Sequence, residues 1–355
     1  MQMRRPQAER SNAVRYPKAL EKGQTIGFAA PSFGAFIEPY HSLFDEALAN
    51  FEKLGYRTLI GPNCYKGEGI GISSTPENCG AELTDLYCSR DCDILISVGG
   101  GECMCETMDF VDFEKVSAAD PKWFMGYSDN THFTFLLNTL CDTASVYGPH
   151  ASDFGMRPWH KAVGDALEVL SGRRYAESYD KWEITELKSA DDPYIGYNCT
   201  EDSCIKAYAG REAVDEIGFS GRLTGGCIDV LLGLAGTRFD RVKAFCEKYK
   251  EDGIVWFLES CDLSPMQLRR GLWTLKNCGW FENAAGFIFG RPMHYGEESM
   301  GVTFGSAALD MLSGYGVPII FDADFGHMPP MMPIISGSFA EIYYDGKLRI
   351  DYELR

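Results

Sequence analysis

Short apolar runs bounded by turn residues alternate with amphipathic stretches through the first part of the chain. Ile26 to Ala30 forms one such run, preceded by Gly23 and stopped by Pro31. Tyr40 to Leu54 carries Leu43, Leu48 and Phe51 on one stripe and predicts a helix. Tyr56 to Ile60 predicts a strand, and Pro76 to Ser89 a helix with proline near its start. The continuous run Ile94 to Val98 predicts a strand buried on both faces. A helix over Cys103 to Val116, a strand over Trp123 to Gly126 and a helix over Asn130 to Leu140 complete the series. Strands and helices alternating at this spacing predict an α/β fold with a parallel sheet flanked by helices.

The rhythm breaks between about 165 and 220, where charges cluster around Asp191-Asp192-Pro193. It resumes with a buried strand over Ile254 to Leu258. Ser264 to Cys278 predicts a helix, with Ser264 as N-cap and Pro265 in the first turn. Gly286 to Phe289 and Pro318 to Phe321 predict further strands, and Ala340 to Tyr344 with Leu348 to Tyr352 a hairpin around Asp345-Gly346. The expected organisation is a flexible tail over 1–16 and an N-terminal parallel-sheet domain over 17–165. A connection with a surface excursion follows over 166–220, then a C-terminal mixed α/β domain over 221–355.

Charge narrows the functions. A formal net charge of −18 opposes nucleic-acid binding, which needs clustered Lys and Arg, and adhesion to an anionic membrane surface. Met1 to Leu20 is polar and arginine-rich rather than signal-like, and nothing reaches the roughly 18 apolar residues of a membrane span. A cytoplasmic location is expected. The thirteen cysteines then read as small core residues in a reducing compartment. Cys88, Cys92, Cys103 and Cys105, and the pair Cys199 and Cys204, lack the paired Cys-x-x-Cys spacing of a zinc site, so no metal and no cofactor are expected.

Four segments could carry chemistry. In Trp123-Phe-Met-Gly-Tyr-Ser-Asp-Asn-Thr131 a strand runs through Gly126 and Ser128 into a helix. A serine at such a turn is exposed at the sheet edge, with helix N–H groups beside it. The competing reading is that Ser128 or Asp129 merely caps the helix. Val98-Gly-Gly-Gly101 follows a buried strand; its glycines let the backbone approach a ligand, and a dinucleotide fingerprint fails because Met104 stands where the last glycine belongs. Trp256-Phe-Leu-Glu-Ser260 closes an apolar strand with a carboxylate, either solvated or orienting a histidine. Asp324-Phe-Gly-His327 places a histidine in a Gly- and Pro-punctuated loop, where a general base fits. His132, four residues past Ser128, is the rival base, but one helical turn along it packs against the helix side.

Taken together the segments resemble the serine LD-carboxypeptidase family, which includes the microcin C immunity hydrolases. The likeness runs in order through Leu20 to Ser32, Ile96 to Gly101, Gly126 to Asp129, Gly221 to Gly226, Phe257 to Glu259 and Asp324 to His327. It implies a Ser128–His327–Glu259 triad drawn from both domains, with the active site at their interface. It also implies an oxyanion hole from the N–H groups of Asp129 and of Gly100 or Gly101. The implied substrate is a murein-derived peptide ending in D-alanine, with a peptidyl or aminoacyl nucleotide as the alternative. A non-catalytic binding protein on the same fold is the remote third possibility. Arg222 and Arg291 are candidates for the substrate carboxylate. Trp182 falls where microcin-type members carry an additional loop and is a candidate to stack on a base. A homodimer is the expected default.

Overall fold

Thr25–Ala29 (β1), Arg57–Ile60 (β2), Ile94–Ser97 (β3), Phe124–Gly126 (β4) and Ser145–Tyr147 (β5) are the strands of the first sheet that lie in the N-terminal part. They pair in parallel in the order β5-β4-β3-β1-β2. A sixth strand, Ile334–Ser336, returns from near the C-terminus and pairs antiparallel with β5. β1 and β3 are adjacent, and the chain departs from them in opposite directions across the sheet, so their C-terminal ends open a crevice. This is the computed structural model of residues 13–355.

The second sheet has nine strands. Its centre is parallel: Ile217–Cys227, Ile254–Glu259, Ala284–Gly290 and Pro318–Ala323 lie side by side. The C-terminal hairpin, Phe339–Tyr344 and Leu348–Glu353, adds to one side antiparallel. The 166–220 stretch is therefore more than a connection, because it supplies both edges. Tyr175–Glu177 pairs with the hairpin, while Lys206–Ala209 pairs with Pro318–Ala323 and Glu212–Val214 with Lys206–Ala209.

Between the sheets runs the helix Thr131–Thr139, every residue of which is buried. Its polar residues are covered along with its apolar ones: the Thr134 and Thr139 hydroxyls donate to backbone carbonyls of the preceding turn. Phe135 stacks on Trp280 at 5.4 Å and meets Trp256 at 6.4 Å, joining this helix to the second sheet.

Two expectations need correction. The 1–16 tail lies outside the described residues up to position 12, but 13–16 are held rather than loose. Val14 is buried, Arg15 N–H donates to Asp142 O at 2.7 Å, and its guanidinium donates to Thr143 Oγ1 at 2.7 Å. The single helix over 103–116 is two, Met104–Met108 and Phe113–Ala118. Asp112 separates them, because its N–H donates to Thr84 Oγ1 and its carboxylate caps Lys115 N–H at 3.0 Å, starting a new helix. No helix among the described residues is long and apolar enough to cross a membrane.

Candidate active site

Three strand ends converge at the crevice. β4 ends at Gly126, Tyr127 stays extended, and Ser128 turns to φ 59° before the helix begins. A side chain in this left-handed region costs about 1–3 kcal/mol and persists only when its surroundings hold it. Here they do. Asn130 Nδ2 donates to Gly99 O at 2.8 Å, and the Asp129 carboxylate accepts from Ser32 Oγ at 2.5 Å and Met104 N–H at 3.0 Å. The turn after β1, the turn after β3 and the serine turn are thus tied into one unit.

Glu259 ends the strand Ile254–Glu259 and is fully buried. His327 stands in the loop after Pro318–Ala323. Its Nε2 lies 2.8 Å from Ser128 Oγ and its Nδ1 2.7 Å from Glu259 Oε2. The carboxylate can only accept, so the Nδ1 proton points at Glu259 and Nε2 accepts from the Ser128 hydroxyl. Gly326 makes the approach possible: it sits at φ +98°, and a Cβ there would come within 2.8 Å of Glu259 Oε2. Glu259 also accepts from the Tyr147 hydroxyl at 2.6 Å.

Burial alone would lower the His327 pKa. The Glu259 charge beside it, with hydrogen bonds to Cys261 and Glu259, outweighs burial and holds it well above the ordinary imidazole range. His150 shows the opposite case: buried and stacked on Tyr127 at 4.2 Å, it has no comparable anion, and desolvation takes its pKa to about 3.

The three side chains open onto a cleft of about 770 Å³. One wall carries Glu102, Asp229 and Asp262; another carries Phe36, Ile37, Tyr40 and Tyr197, with Glu183, Glu186 and Lys188 above them. Gly100 lies against the serine, where an added Cβ would be 3.3 Å from Ser128 Cβ and 3.4 Å from its Oγ; a Cβ on Gly101 would instead strike Ser32. Gly100 is therefore the nearer of the two glycines. No group of three or more His, Cys, Asp or Glu among the described residues is arranged to hold a metal ion.

Residues 26–148 match the model for the LD-carboxypeptidase N-terminal domain, and 220–342 that for its C-terminal domain. The chain belongs to the LD-carboxypeptidase family. Among its relatives is a Bacillus subtilis protein named "Probable murein peptide carboxypeptidase", 26% identical, with 77% of this chain and 73% of that one aligned. The Escherichia coli microcin C7 self-immunity protein MccF is 21% identical over 92% of this chain and 93% of its own. A solved structure of MccF in complex with glutamyl sulfamoyl guanosine superposes with a TM-score of 0.78 at 20% identity, covering 96% of this chain and 98% of that one.

Not every residue that family likeness suggested reaches the cleft. Arg222 is buried in the strand Ile217–Cys227, where its guanidinium pairs with Asp252 at 2.5 Å and donates to Gly337 O at 2.7 Å. Arg291 is fully buried as well: it pairs with Asp324 at 2.5 Å and donates to Asp322 O and Met328 O, gripping the His327 loop on both sides. Trp182 is buried behind that grip, under the Arg291 guanidinium and edge-on to Tyr295 at 4.7 Å, with its N–H donated to Asp202 O. Each is withdrawn as a substrate contact, because it is buried away from the cleft lining and its main polar groups bond inside the protein. His132 does reach the cleft wall, but its Nδ1 is turned back onto Asp129 O at 2.9 Å. Tyr147, Glu102, Asp229 and Lys188 escaped the sequence reading. Tyr147 sits in the three-residue strand Ser-Val-Tyr, which reads as core, and nothing in the sequence marks its hydroxyl.

Proposed function

We propose that the protein is a serine hydrolase that cleaves amide bonds of short peptides through an acyl-enzyme. Its assigned substrate is a murein-derived peptide, losing a terminal D-alanine. The observation that carries the reading is the hydrogen-bonded line Ser128 Oγ–His327–Glu259 at 2.8 and 2.7 Å, fed by a serine held at positive φ. Ser128 Oγ attacks the carbonyl carbon while its proton passes to His327 Nε2. The oxyanion that forms accepts hydrogen bonds from the N–H groups of Asp129 and Gly100. His327 then returns the proton to the leaving amine as the C–N bond breaks. Water repeats the sequence on the acyl-enzyme, and Glu259 stabilises the imidazolium in both halves.

A second reading, hydrolysis of peptidyl or aminoacyl nucleotides, draws support from the cleft walls. Among the described residues Lys188 is the only Lys or Arg lining the cleft, whereas Phe36, Tyr40 and Tyr197 offer apolar and aromatic surface of the kind a base requires. Mass spectrometry of a murein tetrapeptide incubated with wild type and with Ser128→Ala separates the outcomes. Loss of one alanine with wild type alone supports the carboxypeptidase reading. An intact tetrapeptide beside cleavage of an aminoacyl sulfamoyl nucleoside by wild type alone favours the second. Equal turnover by Ser128→Ala would overturn both.

A further inference from the structure

Tyr147 lies in the first sheet, yet its hydroxyl is hydrogen-bonded to the carboxylate that ends a strand of the second. The phenol donates to Glu259 Oε1 at 2.6 Å and accepts from the Ser128 N–H at 3.2 Å; it also takes a hydrogen bond from the Thr131 hydroxyl. One donor and two acceptor positions are thus all used, in a side chain with no exposure to solvent. A hydrogen bond across so long a sequence separation, made at the charged end of the proposed triad, is a strong one. The Ser128 N–H is consequently committed to Tyr147, which leaves the oxyanion to the Asp129 and Gly100 amides.

We propose that Tyr147 is a positioning residue for the reaction, a fourth member of the relay. It holds the Glu259 carboxylate toward His327 and locks the amide of the strained serine to that same carboxylate. This rests on the serine-hydrolase reading above. The phenol touches neither the reacting atoms nor the cleft and acts through Glu259 and Ser128. Burial and the Glu259 charge push its own ionisation far above the usual phenol range, so it remains a donor.

The signature of this role is a direction in pH. The Tyr147 hydrogen bond spreads part of the Glu259 charge. Without it the carboxylate bears more undivided charge toward His327 and favours the imidazolium more strongly. The ascending limb of activity, which requires neutral His327, then moves to higher pH. The other groups facing His327 are Cys261, Glu102, His150 and the Tyr127 ring; those facing Tyr147 are Glu259 and Cys227. Of these, deleting the phenol oxygen takes a hydrogen-bond partner from Glu259 alone, and that is the change the pH profile reads.

The test is the rate at which a fluorophosphonate labels Ser128, measured from pH 5 to 10 in wild type and Tyr147→Phe. Ser128 Oγ bonds to phosphorus, fluoride leaves, and the hydroxyl proton departs through His327. No unknown substrate is needed. Phenylalanine keeps the ring contacts with Phe257 at 5.5 Å and Tyr127 at 6.3 Å. The expected result is labelling slowed about tenfold on the plateau, as for loss of a hydrogen bond to a charged group, with the limb moved up in pH. A limb and plateau equal to wild type would overturn the proposal, as would a limb moved down. A variant without a cooperative thermal transition would overturn it too, placing Tyr147 among purely structural residues. Failure of wild type to label at Ser128 sinks the serine-hydrolase reading instead, so the two failures are distinguishable.

Discussion

At Gly100 a methyl group would project toward Ser128 Cβ and Oγ and toward His150 Cε1, all within 3.4 Å. Gly100→Ala therefore crowds the space where an oxyanion would form while leaving the core untouched. The expected outcome is kcat lowered by about 10²-fold, the order seen when one oxyanion donor is lost, with the melting temperature nearly unchanged. Steady-state kinetics beside a thermal melt checks it. Glu259→Gln is expected to act on His327 in a defined direction. With the anion gone, burial acts on the imidazole with much less opposition, so its pKa falls from its raised position and the ascending limb of kcat/KM moves to lower pH as the plateau drops. A pH–rate profile in which the limb stays put would contradict that assignment. Ser128, Glu259 and His327, which the structure brings within hydrogen-bond reach, were singled out in the sequence by the ordered likeness of six segments, since each segment alone left a capping or solvated reading open. Tyr147 was not, since its partner lies in another sheet and no spacing rule connects them. Arg222 and Arg291 were misread for a related reason: an arginine is drawn to any buried carboxylate, and the sequence does not say whether that carboxylate is a substrate's or the protein's own.

Among the elements, the helix Pro265–Asn277 shows how much local sequence can dictate. Ser264 caps the proline-led N-terminus as its residue type foretold, and Gln267, which the sequence reading passed over, makes the bond reciprocal in a capping box. Ser264→Ala is expected to cost about 1 kcal/mol in denaturant unfolding. The His327 loop behaves differently. It has no regular hydrogen bonding of its own and is gripped by Arg291 through Asp322 O, Asp324 and Met328 O. Arg291→Met leaves Asp324 buried without its counter-charge, which carries a cost of about 3–5 kcal/mol in stability, and a loosened loop should lower kcat as well. A kcat equal to wild type would show that the loop holds His327 without the arginine. The central strands Ile254–Glu259, Ala284–Gly290 and Pro318–Ala323 were legible because apolar runs mark them, whereas the longest, the glycine-rich Ile217–Cys227, was not. Short edge strands such as Lys206–Ala209 were not, since partners rather than composition define them.

Over the whole molecule the excess of acid reaches the cleft. Glu102, Asp229, Asp262, Glu183 and Glu186 line it, against Lys188 alone among the Lys and Arg of the described residues. A short cationic substrate should therefore show kcat/KM falling as salt rises from 10 mM, where the Debye length is about 30 Å, to 0.3 M; its uncharged analogue should not. The two-sheet plan was visible as two series of strands, but the crossing of the chain between them was not. Ile334–Ser336 leaves the second sheet's neighbourhood to flank β5, with Ile334 opposite Tyr147. That crossing imposes an order on synthesis. As the chain emerges from the ribosome, β5 keeps an open edge until residues 334–336 have been made, and Tyr147 waits as long for the strand that covers it. A nascent chain stalled before residue 327 would lack the proposed base and leave that edge free to pair with a neighbour's. The proposed hydrolytic constellation is thus assembled only after residue 327 has been made, and the first sheet is covered only after Ile334–Ser336 has followed it.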